Sequence, residues 1–412
     1  MTSEERREAR YQRRVAARKQ WLLSRQLMLE EIFCPSNLID AGKLCCNNSR
    51  WKTSTILFEA NLLRNVCDIR EEILTGKYKF GGFTSFTTIE RGKTRMINAI
   101  KIHDRAIQKC LNKYLLLPVL CPTFIYDNSA CLPGKGHLFQ LQRLKKHLGE
   151  HYRKYGLQGG IYQFDFSGYF ASIPHAKIKE HFRRYIADDR VFALFCSMID
   201  DFQELKQETD ASEGHGIGLG SEISQLIGLE YASSIDHYIK DELGMHCYGR
   251  YNDDGYVISH DLQQLREISD AVNRMASDLG IKINTKKNRI TPFAHHSFTF
   301  LKIRLRLLPS GKISIKLPRA TIRRMRRKLK IFREWVDTGR FTFEDAAESY
   351  QSWRGYARSR KAYSTLYHMD TLFLQLFEEE LQSYPKKYIC SHRAYHDEDG
   401  WHYVGIKEVH GG

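Results

Sequence analysis

Asp253 and Asp254 stand side by side in the stretch Cys247-Tyr-Gly-Arg-Tyr251-Asn252-Asp253-Asp254-Gly-Tyr-Val-Ile-Ser259. Aromatic and β-branched residues on both sides, with a Gly behind the acids, spell a short β-hairpin that carries its carboxylates at the turn. Asp-Asp-Gly is also ordinary turn chemistry on a solvated surface, so the pair alone decides nothing. Held rigidly, neighbouring carboxylates repel one another unless a cation sits between them, and hard oxygen donors ask for Mg²⁺ or Mn²⁺. A third acid, Asp165, ends the apolar run Ile161-Tyr-Gln-Phe-Asp165-Phe166-Ser-Gly-Tyr-Phe170, where a strand bends through Ser167 and Gly168 into a helix start. Such a cluster holds two ions about 3.5–4 Å apart, one activating a 3′-hydroxyl and the other stabilising a pyrophosphate leaving group.

That chemistry needs elements that bind phosphates. Phe86-Thr-Thr-Ile-Glu-Arg91-Gly-Lys93-Thr-Arg95 alternates like a hairpin with a tight turn, and Lys93 and Arg95 project from one face of its second strand, spaced to clamp a triphosphate. From Pro318 the chain is helical and strongly basic, with Ile322, Met325, Leu329 and Phe332 forming one apolar stripe; Arg323, Arg327 and Lys330 lie on the other side, where they can track a phosphate backbone. The whole chain has 64 Lys and Arg against 48 Asp and Glu over 412 residues, a formal charge of +16, which points to a polyanionic partner. An apolar content of 42% is that of a globular protein, and excludes a disordered tail. The longest apolar stretch, Tyr114-Leu-Leu-Leu-Pro-Val-Leu120, is too short to cross a bilayer. The N-terminus lacks the apolar core of a signal peptide. The ten Cys have no paired spacing, so reduced thiols in a cytoplasm are expected.

Taken in order, these motifs resemble those of reverse transcriptases, over roughly residues 75 to 375. Asp165 with Phe170 resembles the first palm motif of that family, and Tyr251-Asn252-Asp253-Asp254 its Tyr-X-Asp-Asp motif. Between them Leu219-Gly220-Ser221-Glu222-Ile223-Ser224-Gln225 stands where retroviral and group II intron enzymes have Gln-Gly-X-X-X-Ser-Pro. This form is similar to the enzymes of diversity-generating retroelements and of related bacterial groups, some tied to phage defence. The resemblance implies an α+β right-hand polymerase with fingers, a palm built on an antiparallel catalytic sheet, and a helical thumb. Asp165, Asp253 and Asp254 would hold two Mg²⁺, or Mn²⁺, with the carbonyl of Phe166 assisting. The ring of Phe170 would exclude a 2′-hydroxyl, Leu219 and Gly220 would border the incoming dNTP, and Ser224 and Gln225 would lie under the template. Arg105 in the fingers helix and Lys135 in the Pro133-Gly134-Lys135-Gly136 turn would face template. Lys287, with Lys286 as rival, would protonate pyrophosphate. Phe298-Thr-Phe300-Leu-Lys302 resembles the primer grip, with Lys302 where many relatives have Gly. Trp353 reads as thumb packing.

The expected organisation is a basic helical extension over residues 1–75, fingers and palm over 76–310, thumb over 311–385 and a tail over 386–412. Residues 3–33 read as one long helix, a candidate arm for nucleic acid or an accessory protein, and 54–75 as a second helix. Cys390, His392, His396 and His402 fit no common zinc finger. The expected partners are an RNA template in the form of a cognate non-coding RNA, a DNA or RNA primer, and dNTPs, with no membrane. No maturase-sized or endonuclease domain is expected after the thumb, which counts against a group II intron protein, and no Val-Thr-Gly follows the primer grip, which counts against a retron enzyme; gene diversification and phage defence are the two expected roles. An RNA-directed RNA polymerase is disfavoured by Phe170, and an inactive scaffold has no need of three carboxylates.

Overall fold

The computed structural model describes residues 2–47, 49–90, 93–201, 214–218, 221–383, 394–397 and 400–403. Two compact units emerge, one made of Met1–His151 with Gly159–Ile290 and the other of Tyr152–Gln158 with Thr291–Gly412.

The first unit opens with helices. Ser3–Arg25 ends at Gln26, and the chain restarts as Leu29–Ile32, so the single helix expected over 3–33 is broken. The break follows from burial: Leu29 and Ile32 turn into the core, and the amide of Leu29 donates to Asp188 Oδ2 at 3.1 Å. Pro35–Cys46 forms a further helix with Pro at its first turn, where a missing N–H costs nothing. The second expected helix is likewise split at Asn61, into Thr53–Ala60 and Leu62–Leu74. Strands β1 (Phe83–Glu90) and β2 (Lys93–Ile100) then form an antiparallel hairpin closed by the pair Glu90 and Lys93.

The catalytic candidates sit on a sheet of five strands. Its central strand is β3 (Gly160–Ser167), with β4 (Tyr248–Tyr251) and β5 (Asp254–Ser259) forming the hairpin beside it and β6 (Lys282–Ile283) on its other edge; β7 (Arg289–Pro292) also pairs with β3. β3 is buried along nearly its whole length, which explains why it reads as a continuous apolar run and not as an alternation. Asp165 is the one acidic side chain in that run. Helix Leu262–Asp278 covers the sheet with Leu265, Ile268 and Val272, an amphipathic face at helical spacing.

The second unit carries an antiparallel sheet of β8 (Phe298–Phe300), β9 (Ile303–Leu307) and β10 (Ile313–Lys316). In β9 Ile303, Leu305 and Leu307 point inward while Arg304 and Arg306 are exposed. Leu301 and Lys302 join β8 to β9 with φ of 47° and 61°, the left-handed pair a tight hairpin demands, which is why Gly is the easier residue there. Helices Arg319–Asp337, Phe343–Ser359 and Tyr363–Leu376 bury Met325, Leu329, Phe332, Tyr350 and Phe373 against one another. Trp353 is partly buried and stacks on Tyr350, so its packing role is met. β11 (Ala394–Asp397) and β12 (Gly400–Tyr403) form a last hairpin; Cys390 and His392 lie outside the described residues. No helix among the described residues is long and apolar enough to cross a membrane.

Candidate active site

The hairpin and β3 bring the acids together by register. Asp165 pairs directly with Asp254 across the β3 and β5 ladder, and the amide of Phe166 donates to the carbonyl of Asp253 at 3.2 Å. Asn252 makes the turn possible, at a φ of 53° that Asn tolerates better than most residues. One carboxylate oxygen from each of Asp165, Asp253 and Asp254 lies within 4.8 Å of the others. Burial, then the charge of Asp165, raises the carboxyl of Asp253 above the usual range. Burial, then the hydrogen bond to Asp165, pushes Asp254 up to about 7. Carboxylates crowded in this way are relieved by a divalent cation, and an all-oxygen donor set fits Mg²⁺ or Mn²⁺ better than zinc. Asn284 supports the site: its amide nitrogen reaches Asp165 Oδ2 at 3.0 Å and its backbone N–H the Asp165 carbonyl at 2.8 Å. The ammonium of Lys287 lies 2.5 Å from Asp165 Oδ1 and 3.5 Å from Asp254 Oδ1, so of the two rival lysines it is Lys287 that reaches the acids.

The family model for reverse transcriptase (RNA-dependent DNA polymerase) matches residues 81–305, more than half of the chain. The chain belongs to the reverse transcriptase family. Among solved structures it is similar to apo telomerase from Candida tropicalis truncated from the C-terminal domain, at 12% identity and a TM-score of 0.44; the match covers 57% of this chain and 55% of that one. The chain thus spans about half the length of that telomerase. A comparison with curated proteins returned no match. The matched family is that of RNA-dependent DNA polymerases, and the described elements combine helices with antiparallel sheets.

Phe170 leaves β3 on the short helix Tyr169–Ser172, and its half-buried ring packs against Gly228, where an added Cβ would come 2.9 Å from Cε1. Gly228 is therefore the seat of that ring. Ser221 occupies the N-cap position of helix Glu222–Tyr231 and donates to Gln108 Oε1 at 2.8 Å, tying that helix to Ile102–Leu111. Ser224 lies one turn in, with its hydroxyl buried, while Gln225 is half-buried. Arg105 is exposed beside a cleft of about 750 Å³ that Lys52, Lys101 and Lys109 also line. Its neighbour Asp104 is buried and accepts from the Tyr78 hydroxyl at 3.0 Å, pinning the start of helix Ile102–Leu111. Lys93 and Arg95 lie on β2; Leu219 and Gly220 fall outside the described residues. Lys302, Arg323, Arg327 and Lys330 are exposed in the second unit, the last three along a groove of about 480 Å³ with Tyr367 and His368.

Lys135 lies in the turn before helix His137–Tyr155. Its ammonium is spent on the carbonyls of Tyr126 at 2.8 Å and Asn128 at 3.1 Å and lies over the rings of Tyr126 and Phe139, which braces the turn from within. Burial holds it below the usual lysine range.

Arg250 and Asp236 were invisible as a pair from the sequence. Both are fully buried, and Arg250 Nη2 meets Asp236 Oδ2 at 2.6 Å. The available signal was an Arg between two aromatic residues in a strand that otherwise reads as core, because a buried guanidinium demands an acid.

One other group of metal-ligand types lies within reach among the described residues, His147 with Glu150 and His246. Both ring nitrogens of His147 are engaged, Nδ1 with the Tyr256 hydroxyl at 3.0 Å and Nε2 with Arg143 at 3.3 Å, and a guanidinium beside Nε2 opposes a cation. The site is better described as a buried neutral imidazole. Burial pushes His147 from 6.5 down to about 3, so its folded-state contribution is full above 6.5 and is lost as pH falls towards 3. At pH 5 the loss is roughly 2 kcal/mol. Urea unfolding at pH 5 and pH 7.5 should show that difference, and His147→Gln should reduce it; an unchanged acid limb in the variant would assign the loss to other groups.

Proposed function

We propose that this reverse transcriptase adds dNTPs to a primer 3′-end on a cognate RNA, using two Mg²⁺ ions, within a bacterial or phage retroelement of the diversity-generating type. The observation that carries the chemistry is the convergence of Asp165, Asp253 and Asp254 to within 4.8 Å. Bound there, the ions would activate the primer hydroxyl and neutralise the leaving pyrophosphate. Lys287, already against two of the acids, is positioned to give pyrophosphate its proton. The subtype rests on the Leu219-Gly220 form of the middle motif. Sequencing the RNA and DNA that copurify with the protein tests both parts. Complementary DNA copied from a repeat beside a variable gene supports diversification, copies made only during phage infection point to defence, and RNA products alone would overturn DNA synthesis.

In the second unit, the exposed Arg323, Arg327 and Lys330 are proposed to contact the phosphate backbone. Neutralising all three should make the dependence of log affinity on log salt shallower by about two to three, since each phosphate contact contributes roughly 0.7–0.9. Fluorescence anisotropy with an RNA and DNA duplex across salt concentrations measures it. An unchanged slope would remove these residues from the interface.

A further inference from the structure

The Tyr-Asn-Asp-Asp turn is anchored from beneath by a single guanidinium. Arg250 is 0% exposed and spends its donors in three directions. Nε and Nη2 form a fork on Asp236 at 2.7 Å and 2.6 Å, Nη2 also donates to the carbonyl of Leu229 at 2.7 Å, and Nη1 donates to the carbonyl of Asn252 at 2.7 Å. Asn252 is the left-handed residue of the turn, directly before Asp253. The turn's next carbonyl, that of Asp253, is held by the amide of Phe166. The peptide units on both sides of the Asp253 side chain are thus pinned, one by β3 and one by Arg250.

The acid of this pair is itself fixed. Asp236 accepts from the Tyr248 hydroxyl at 2.6 Å and from Asn128 Nδ2 at 3.4 Å, and the backbone N–H of Arg250 reaches the Asp127 carbonyl at 3.2 Å. Leu229 follows Gly228, the seat of Phe170, on helix Glu222–Tyr231. One side chain therefore ties the metal-ligand turn to the helix that backs the sugar-facing ring.

Stability alone does not call for this arrangement. Two charges taken out of water are costly, and an apolar pair of similar volume is commonly as stable or more so. What an apolar pair cannot supply is an N–H aimed at the Asn252 carbonyl. Lysine cannot supply it either, because a single ammonium lacks the planar fork that serves Asp236, Leu229 and Asn252 together.

We propose that Arg250 is a positioning residue that holds Asp253 at its distance from Asp165 through the Asn252 carbonyl, so that its loss is felt first in metal binding and turnover. This rests on the reading of the three acids as the metal site. The test compares wild type, Arg250→Lys, the double variant Arg250→Met with Asp236→Leu, and Asp253→Asn. For each, primer extension is followed as a function of Mg²⁺ and dNTP, together with duplex affinity and the thermal midpoint.

In the double variant the buried charges are removed together, and the thermal midpoint and duplex affinity are expected to stay near wild type. The half-saturating Mg²⁺ concentration should rise about tenfold or more and kcat should fall about tenfold, with KM for dNTP changing less. Arg250→Lys should shift Mg²⁺ dependence in the same direction and gives the reading if the double variant does not fold. A folded double variant, or in its place a folded Arg250→Lys, with kcat and Mg²⁺ dependence within twofold of wild type would overturn the proposal. Wild-type extension by Asp253→Asn would instead overturn the metal-site reading beneath it, so the two failures are told apart.

Discussion

Asp253→Ala and Asp165→Ala should each lower single-turnover primer extension by about a thousandfold or more, while affinity for a primer and template duplex stays within about twofold. The expectation follows from charge placement. Asp165 is buried on β3, Asp253 sits in the turn, and their carboxylate oxygens are close enough to share a cation, so removing either leaves the other unable to hold it in position. A loss of that size is what removal of a preorganised electrostatic group costs when it acts mainly in the transition state. Asn284 and Lys287 sharpen the case, because both are spent on Asp165 and would lose their partner. Rapid-quench extension at saturating Mg²⁺ with a DNA primer on RNA, paired with duplex binding by anisotropy, separates chemistry from affinity. Extension within tenfold of wild type for both variants would sink the two-metal reading. A parallel fall in duplex affinity would instead mark the acids as structural.

How much of this was legible beforehand depends on whether the information is local. The acids could be read because each lies in a short motif whose flanking residues set its backbone: a β-branched and aromatic hairpin for Asp253 and Asp254, and an apolar run ending in Ser167-Gly168 for Asp165. Gly168 takes a φ of 57°, as the bend into the next helix requires. The amphipathic stripe of Arg319–Asp337 was legible for the same reason, since Met325, Leu329 and Phe332 repeat at helical spacing and are buried. What failed depends on partners distant in the chain. Nothing near residue 26 announces a helix end; Asp188 and the core take Leu29 out of the helix. Arg250 and Asp236 are the clearest example, because one lies on a strand and the other on the helix Ser233–His237, and only the packed hairpin joins them. An Arg in a strand that reads as core signals that an acid is needed, but nothing local says which acid.

Phe170→Ala should raise the use of NTPs relative to dNTPs by about a hundredfold, with little change in the rate of dNTP incorporation. Discrimination against a single hydroxyl in an apolar site is limited to about that factor unless a rigid group occupies the space the hydroxyl would need. Rigidity is what the surroundings of Phe170 supply. Its ring lies against Gly228 and edge-on to Tyr169 at 5.5 Å, the Tyr169 hydroxyl donates to the Gly228 carbonyl at 2.6 Å, and the carbonyl of Phe170 accepts from Ile217 at 2.7 Å. The ring cannot retreat towards the helix, because only the missing side chain of Gly228 leaves it room. Gly228→Ala is the informative companion, since its new methyl would stand 2.9 Å from Phe170 Cε1 and must displace the ring without touching a nucleotide. A displaced ring should change the ratio of NTP to dNTP use by several-fold, whereas a ring that is only core packing would lower the thermal midpoint in both variants and leave that ratio alone. Competition assays with one dNTP and its matching NTP on an RNA template give the ratio directly. A ratio unmoved by Phe170→Ala would transfer sugar selection to another residue, and would restore RNA synthesis as an activity this palm can perform.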